Sequence, residues 1–221
     1  MRILLLNLKN YPEILGEGAV RFARAAEKVA SKVDARVVVA PPNSTLALVA
    51  SEVSIPVFSQ SLGSELGDKT TGADLPEAAV AVKAAGTLLN HSERRKPWSE
   101  LRTLVPRVAG LGLEVCLCAK STAEAVKLSS LAPNFIAVEP PELIGTGIAV
   151  SNARPEVVEG TVGRLRAAGY RGQVLCGAGI VRGEDVTKAV ELGAEGVLVS
   201  SSVVKAKDWE KKIAEFAASL D

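Results

Sequence analysis

Eight short apolar runs alternate with longer helix-patterned segments along the chain, and no other feature restricts its fold as much. The runs lie at 2–8, 36–40, 57–60, 87–90, 114–118, 135–139, 173–176 and 196–200. Each has about the length of an average strand, and most are too short to be buried helices. They are nearly continuous in Val, Leu, Ile, Ala and Cys, as strands covered on both faces are in a parallel sheet. The segments between them read as amphipathic helices. Over 16–33, Val20, Phe22, Ala23, Ala26, Val29 and Ala30 form an apolar stripe opposite Arg21, Arg24, Lys28 and Lys32. Asn43 is expected to cap a helix over 44–52, and Pro76 to open one over 77–84. Ser121 or Thr122 starts a helix reaching 130, and Trp98 and Ser99 open the fourth. Pro155 opens a helix that Gly169 ends, and further helices follow at 184–192 and 208–219. Pro106 should kink or shorten the fourth helix.

Eight such units in 221 residues, without a linker or a shift in composition, predict an α/β fold: one closed (β/α)8 barrel, a single domain over 1–221. The alternative is an open doubly wound sheet. The first turn, Asn7-Leu8-Lys9-Asn10-Tyr11-Pro12, opens neither the glycine fingerprint nor the P-loop such a sheet would carry there. A net charge of +1 supplies no bulk field for nucleic acid or an anionic membrane, so neither is expected as a partner. The N-terminal apolar run is broken by Asn7 and Lys9 and lacks a cleavage site, which reads as a strand and not a signal peptide. No run is long enough to span a membrane, and the cytoplasm is the expected compartment. Of the three cysteines, Cys116 and Cys118 alternate within one strand and should pack as small hydrophobes; no metal site is expected.

A barrel of this kind carries its active site at the C-terminal ends of its strands. Asn7 and Lys9 follow the first strand, and His91, Ser92 and Glu93 the fourth. Glu139 ends the sixth, Gly177-Ala178-Gly179 follows the seventh, and Ser200 and Ser201 end the eighth. Singly, each has a plain explanation: a solvated lysine, a capping histidine, an ion-paired glutamate, an ordinary glycine turn. Together they place a base, an electrophile and a cation around one rim, beside two small-residue turns that can cradle a phosphate.

These motifs resemble the triosephosphate isomerases. Asn7-Leu8-Lys9 is similar to the family's first-strand motif, and Asn90-His91-Ser92-Glu93-Arg94-Arg95 to its fourth-strand motif. Ala137-Val138-Glu139-Pro140-Pro141-Glu142-Leu143-Ile144-Gly145-Thr146-Gly147 looks like the catalytic glutamate and the mobile loop after it. Asp68-Lys69-Thr70-Thr71-Gly72-Ala73-Asp74 looks like the loop that docks into a neighbouring subunit. The chain departs from the family in having Ser200-Ser201 where many members have Gly-Gly, and in lacking a tryptophan after Glu139. Its compactness and its Pro-Pro-Glu-Leu resemble the archaeal branch.

The resemblance implies a TIM barrel that interconverts dihydroxyacetone phosphate and D-glyceraldehyde 3-phosphate through an enediolate, in glycolysis and gluconeogenesis, with no cofactor. Glu139 would be the base, His91 the electrophile and Lys9 the stabilising cation. Asn7 would position Lys9 and substrate, with Ser92 and Glu93 in support. Ile144, Gly145, Gly179, Ser200 and Ser201 would hold the substrate, its phosphate on their backbone N–H groups, and residues 140–147 would close as a lid. It further implies a homo-oligomer, a tetramer built from dimers. Pentose-phosphate epimerases and indole- or thiamine-pathway barrels share the phosphate turns but lack this set. A sensor or scaffold has no need of Lys9, His91 and Glu139 together.

Overall fold

The computed structural model describes residues 1–139 and 155–220. Eight parallel strands alternate with helices: β1 Ile3–Asn7, β2 Arg36–Ala40, β3 Phe58–Ser59, β4 Gly86–Leu89, β5 Glu114–Ala119, β6 Phe135–Val138, β7 Gln173–Cys176 and β8 Gly196–Val199. The described helices are α1 Glu17–Ala30, α2 Leu46–Glu52, α3 Pro76–Ala81, α4 Trp98–Gly110, α5 Thr122–Ser129, α6 Pro155–Ala167, α7 Gly183–Glu191, α8 Ser201–Val204 and α9 Trp209–Ala218. The strands pair in the order β2-β1-β8-β7-β6-β5-β4-β3. A single parallel bridge between Val39 and Val57 joins β2 to the start of β3 and closes the ring. This is the expected barrel, with the eight strands where the apolar runs placed them.

Alternation along each strand separates two cores. Ile3, Leu5, Val38, Ala40, Phe58, Leu88, Cys116, Cys118, Phe135, Ala137, Leu175 and Leu198 fill the inside of the barrel. The intervening residues, such as Leu4, Leu6, Val37, Val39, Val115, Leu117 and Ile136, pack outward against the helices. All three cysteines are free and buried, packed as small hydrophobes. At the N-terminal end, Arg36 of β2 reaches across to Glu114 of β5, with Nη1 donating to Oε1 at 2.8 Å. The guanidinium lies 5.9 Å from the Phe135 ring centre and closes the barrel floor. Gly86 is required beside it, because a Cβ there would come within 2.7 Å of the Phe58 ring.

Three local expectations differ from the structure. Asn43 does not cap α2. It begins a 3-10 turn, and its side chain accepts from Gln60 N at 2.9 Å and donates to Ser61 O at 2.7 Å, which ties the β2–α2 turn to the end of β3. Strand β3 is only two residues long, because Val57 makes just the closing bridge and the Gln60 amide leaves the ladder for the rim. Pro106 does not shorten α4, which runs 13 residues through it. Both Pro106 and Arg102, whose carbonyl loses its usual donor, are exposed, so that carbonyl can be solvated. Elsewhere the caps follow the sequence: Ser121 accepts from Glu124 N, and Asp208 from Lys211 N.

Candidate active site

The inward series of several strands, continued by one step, ends at the rim: Ile3-Leu5-Asn7, Phe135-Ala137-Glu139, Leu175-Gly177 and Leu198-Ser200. These residues line a cavity of about 400 Å³ together with Lys9, His91, Gly179 and Ser201. Seven residues singled out from sequence, Asn7, Lys9, His91, Glu139, Gly179, Ser200 and Ser201, thus share one cavity. Ile144, Gly145 and the expected lid over 140–147 lie outside the described residues.

Lys9 does not continue β1 as a strand residue. Its φ is 47°, a left-handed conformation that costs a non-glycine residue about 1 kcal/mol. Asn7 Oδ1 accepts from its N–H at 3.1 Å, and Gln60 Nε2 donates to its carbonyl at 3.1 Å. The same amide donates to Ala40 O at 2.9 Å, so Gln60 fixes the turn against β2. The Lys9 ammonium then meets Glu93 Oε1 at 2.7 Å. Glu93 is therefore a partner of the cation, and its carboxylate is exposed while Lys9 is largely covered.

His91 is aimed by a turn and not by strand alternation. Asn90 has a φ of 60°; its side chain donates to Cys118 O at 2.9 Å and accepts from Lys96 N at 3.1 Å. Arg95 adds a bond from Nη1 to Asn90 O at 3.0 Å and an ion pair with Glu124. His91 is swung over the barrel mouth and buried. Glu93 N–H donates to its Nδ1 at 3.2 Å, which makes Nδ1 the acceptor and leaves the ring proton on Nε2. Nε2 faces Glu139 Oε1 at 3.4 Å. Burial, and next the Lys9 ammonium, push the imidazole down to about 4, with Glu93 opposing and Arg95 adding to the effect. The ring is therefore neutral at physiological pH.

Glu139 is only 3% exposed, and its Oε2 has no hydrogen-bond partner among the described residues. Burial pushes its carboxyl up to about 7, against the opposing pull of the Cys118 thiol, Arg95, Lys9 and the Ser92 N–H. Gly177 lies against it: a Cβ there would come within 2.6 Å of Glu139 Cγ. Ser92 and Ser200 each have a buried hydroxyl without a partner among the described residues.

The turn after β8 accommodates its serines without a left-handed backbone. Ser200 has φ −141°, and Ser201 begins α8, so neither needs glycine's left-handed freedom. Helix α8 is only four residues long, so its backbone N–H groups count for more here than any helix dipole. Sequence reasoning missed Gln60, Tyr11 and Lys205, and it placed Gly177 in the rim turn after β7 without its contact with Glu139. Only the position of Gly177 two residues past Leu175 could have signalled its inward place; the other three act through contacts distant in sequence.

The triosephosphate isomerase family model matches residues 2–217. The chain is 44% identical to the triosephosphate isomerase of Caldivirga maquilingensis over 218 residues, covering 99% of this chain and 97% of that one. It is 43% identical to the triosephosphate isomerase of Methanocaldococcus jannaschii, covering 96% and 97%. It is 41% identical to that of Archaeoglobus fulgidus, covering 100% and 99%.

Proposed function

Because the chain belongs to the triosephosphate isomerase family and is an isomerase of triose phosphates, we propose that Glu139, His91 and Lys9 carry the reaction in this cavity. The observation that supports this most is the buried Glu139, with one oxygen that has no partner among the described residues and a neutral His91 Nε2 3.4 Å from the other. A base of this kind must take a proton from carbon. Desolvation makes the carboxylate more basic, and the unused oxygen is free to accept.

Glu139 removes the proton from the carbon bearing the hydroxyl beside the carbonyl. The C–H electron pair becomes a carbon–carbon double bond, and the carbonyl electrons move to oxygen. His91 Nε2–H donates to that oxygen as an uncharged acid, a division of labour for which triosephosphate isomerase is itself the standing example. Lys9 lies where negative charge develops and stabilises the enediolate; Asn7 and Glu93 hold it there. His91 gives its Nε2 proton to the former carbonyl oxygen and takes the hydroxyl proton from the neighbouring oxygen. Glu139 returns the carbon proton to the neighbouring carbon, and the carbonyl re-forms one position along. No redox or external group is required by this balance. The phosphate rests on backbone N–H groups of Gly179, Ser200 and Ser201, completed by Gly145, with Ile144 against the substrate and the segment 140–147 as lid.

We read residues 1–221 as one catalytic domain of a cytoplasmic enzyme assembled as a tetramer built from dimers. Exposed Leu48 on α2, Leu66 before the 68–74 loop and Val80 on α3 are apolar surface that such an assembly would cover. Sedimentation analysis tests that assembly. A coupled assay with glyceraldehyde 3-phosphate tests the chemistry: Glu139→Gln should lose about 10³-fold or more in kcat while still binding inorganic phosphate. Turnover close to the parent's would remove Glu139 as the base.

A further inference from the structure

The cavity has two described cations on its lining, and only one has a role above. Lys9 is engaged with Glu93 on the strand-1 side. Lys205 lies beside the turn after β8, the strand that pairs with β1. It ends α8: its N–H donates to Ser201 O at 3.1 Å, so Lys205 sits one helical turn after Ser201 and on the same face. Its ammonium is 4.9 Å from the centre of the Tyr11 ring, and Tyr11 lines the same cavity. Among the described residues Lys205 has no carboxylate partner, and Glu139 is the only carboxylate on the described lining.

From this arrangement we propose that Lys205, held on Tyr11, is the specificity-determining cation for the substrate's phosphate dianion. This rests on the reading of the cavity given above. The aromatic face attracts the ammonium without neutralising it. The charge is thereby stationed near Ser200 and Ser201, where a carboxylate partner would have cancelled it. Backbone N–H groups give a phosphate its geometry, and Lys205 adds the net charge that favours a dianion over a neutral or singly charged triose. Lys205 acts on capture, so its loss raises KM and leaves kcat nearly unchanged. A lysine that only caps α8 and packs on Tyr11 would alter stability and leave phosphate affinity and salt dependence untouched.

The test compares wild type, Lys205→Met, Lys205→Arg and Tyr11→Leu, using inorganic phosphate as a competitive probe. Lys205→Met should raise KM and the inhibition constant of inorganic phosphate by about tenfold at low salt, the scale of a solvated charge acting on a dianion. Its kcat should stay within about twofold, and the fall of kcat/KM with ionic strength should become shallower. Lys205→Arg should restore most of the affinity. Tyr11→Leu should produce a smaller loss that does not add to that of Lys205→Met. Unchanged phosphate inhibition and salt dependence in a folded Lys205→Met overturn the proposal, as does a loss confined to kcat. If wild type itself is not competitively inhibited by phosphate, the reading of the cavity fails first.

Discussion

A base held in a buried site weakens the fold that holds it, and the pH dependence of Glu139→Gln measures by how much. The carboxyl rises from 4.5 to about 7 through burial. At about 1.4 kcal/mol per pH unit this is about 3 kcal/mol. The folded protein holds this proton more tightly than the unfolded chain does. The associated stability is therefore fully present below pH 4.5, declines as pH rises, and is gone above about pH 7. Glutamine has nearly the same shape and no charge to desolvate, so the variant escapes the loss. The two proteins should match within about 1 kcal/mol near pH 4.5. At pH 8.5 the variant should be more stable by up to about 3 kcal/mol, or about 6–10 °C in melting temperature for a chain of this length. Wild type alone would hide the effect. The His91 pKa is lowered from 6.5 to about 4, so its stability is lost as pH falls through that interval and nearly cancels the Glu139 slope. At pH 8.5 the ring is neutral in both proteins, so its titration drops out of the difference there. The assay is urea unfolding of both at fixed protein concentration from pH 4.5 to 9. A stability difference independent of pH, or a variant less stable at pH 8.5, would refute the claim that Glu139 is desolvated.

The same shift predicts that kcat/KM rises with pH to a plateau above about 7, seen in an initial-rate profile; a plateau already reached at pH 5 would contradict it. Lys9→Met should remain folded and lose about 10²–10³-fold in kcat, because the cation opposite the developing charge is gone; circular dichroism and the coupled assay check both halves. His91 is the sole histidine, so its ring nitrogens can be followed by NMR in tag-free protein. They should show a neutral Nε2–H tautomer down to about pH 4, and titration near 6.5 would mean the ring is exposed. Gly177→Ala would put a methyl 2.6 Å from Glu139 Cγ and 3.1 Å from Val138 O, costing about 1–3 kcal/mol and displacing the base. A fall in kcat well beyond any change in KM checks this.

The barrel was legible in the sequence because its strands and helices are dictated locally. A β-branched run favours an extended backbone wherever it lies, and period-2 alternation carried past Leu5 and Ala137 marks Asn7 and Glu139 as the next inward side chains. Helix caps such as Ser121 and Asp208 are equally local. Asn43 and Pro106 show the limit. The amide of Asn43 found partners at Gln60 and Ser61, and Pro106 fell on an exposed face where its missing hydrogen bond matters little. What sequence could not supply is everything that depends on distance through space. Lys9 meets Glu93 across 84 positions, and His91 meets Glu139 only because the turn at Asn90 swings the ring over the barrel mouth. Gln60 holding the Lys9 turn, Gly177 leaving room for the base, and Lys205 resting on Tyr11 have the same origin. The residue types were readable one by one. The size of the shifts in their proton affinities was not, because desolvation and the field of neighbouring charges act in full only once the chain has closed around them.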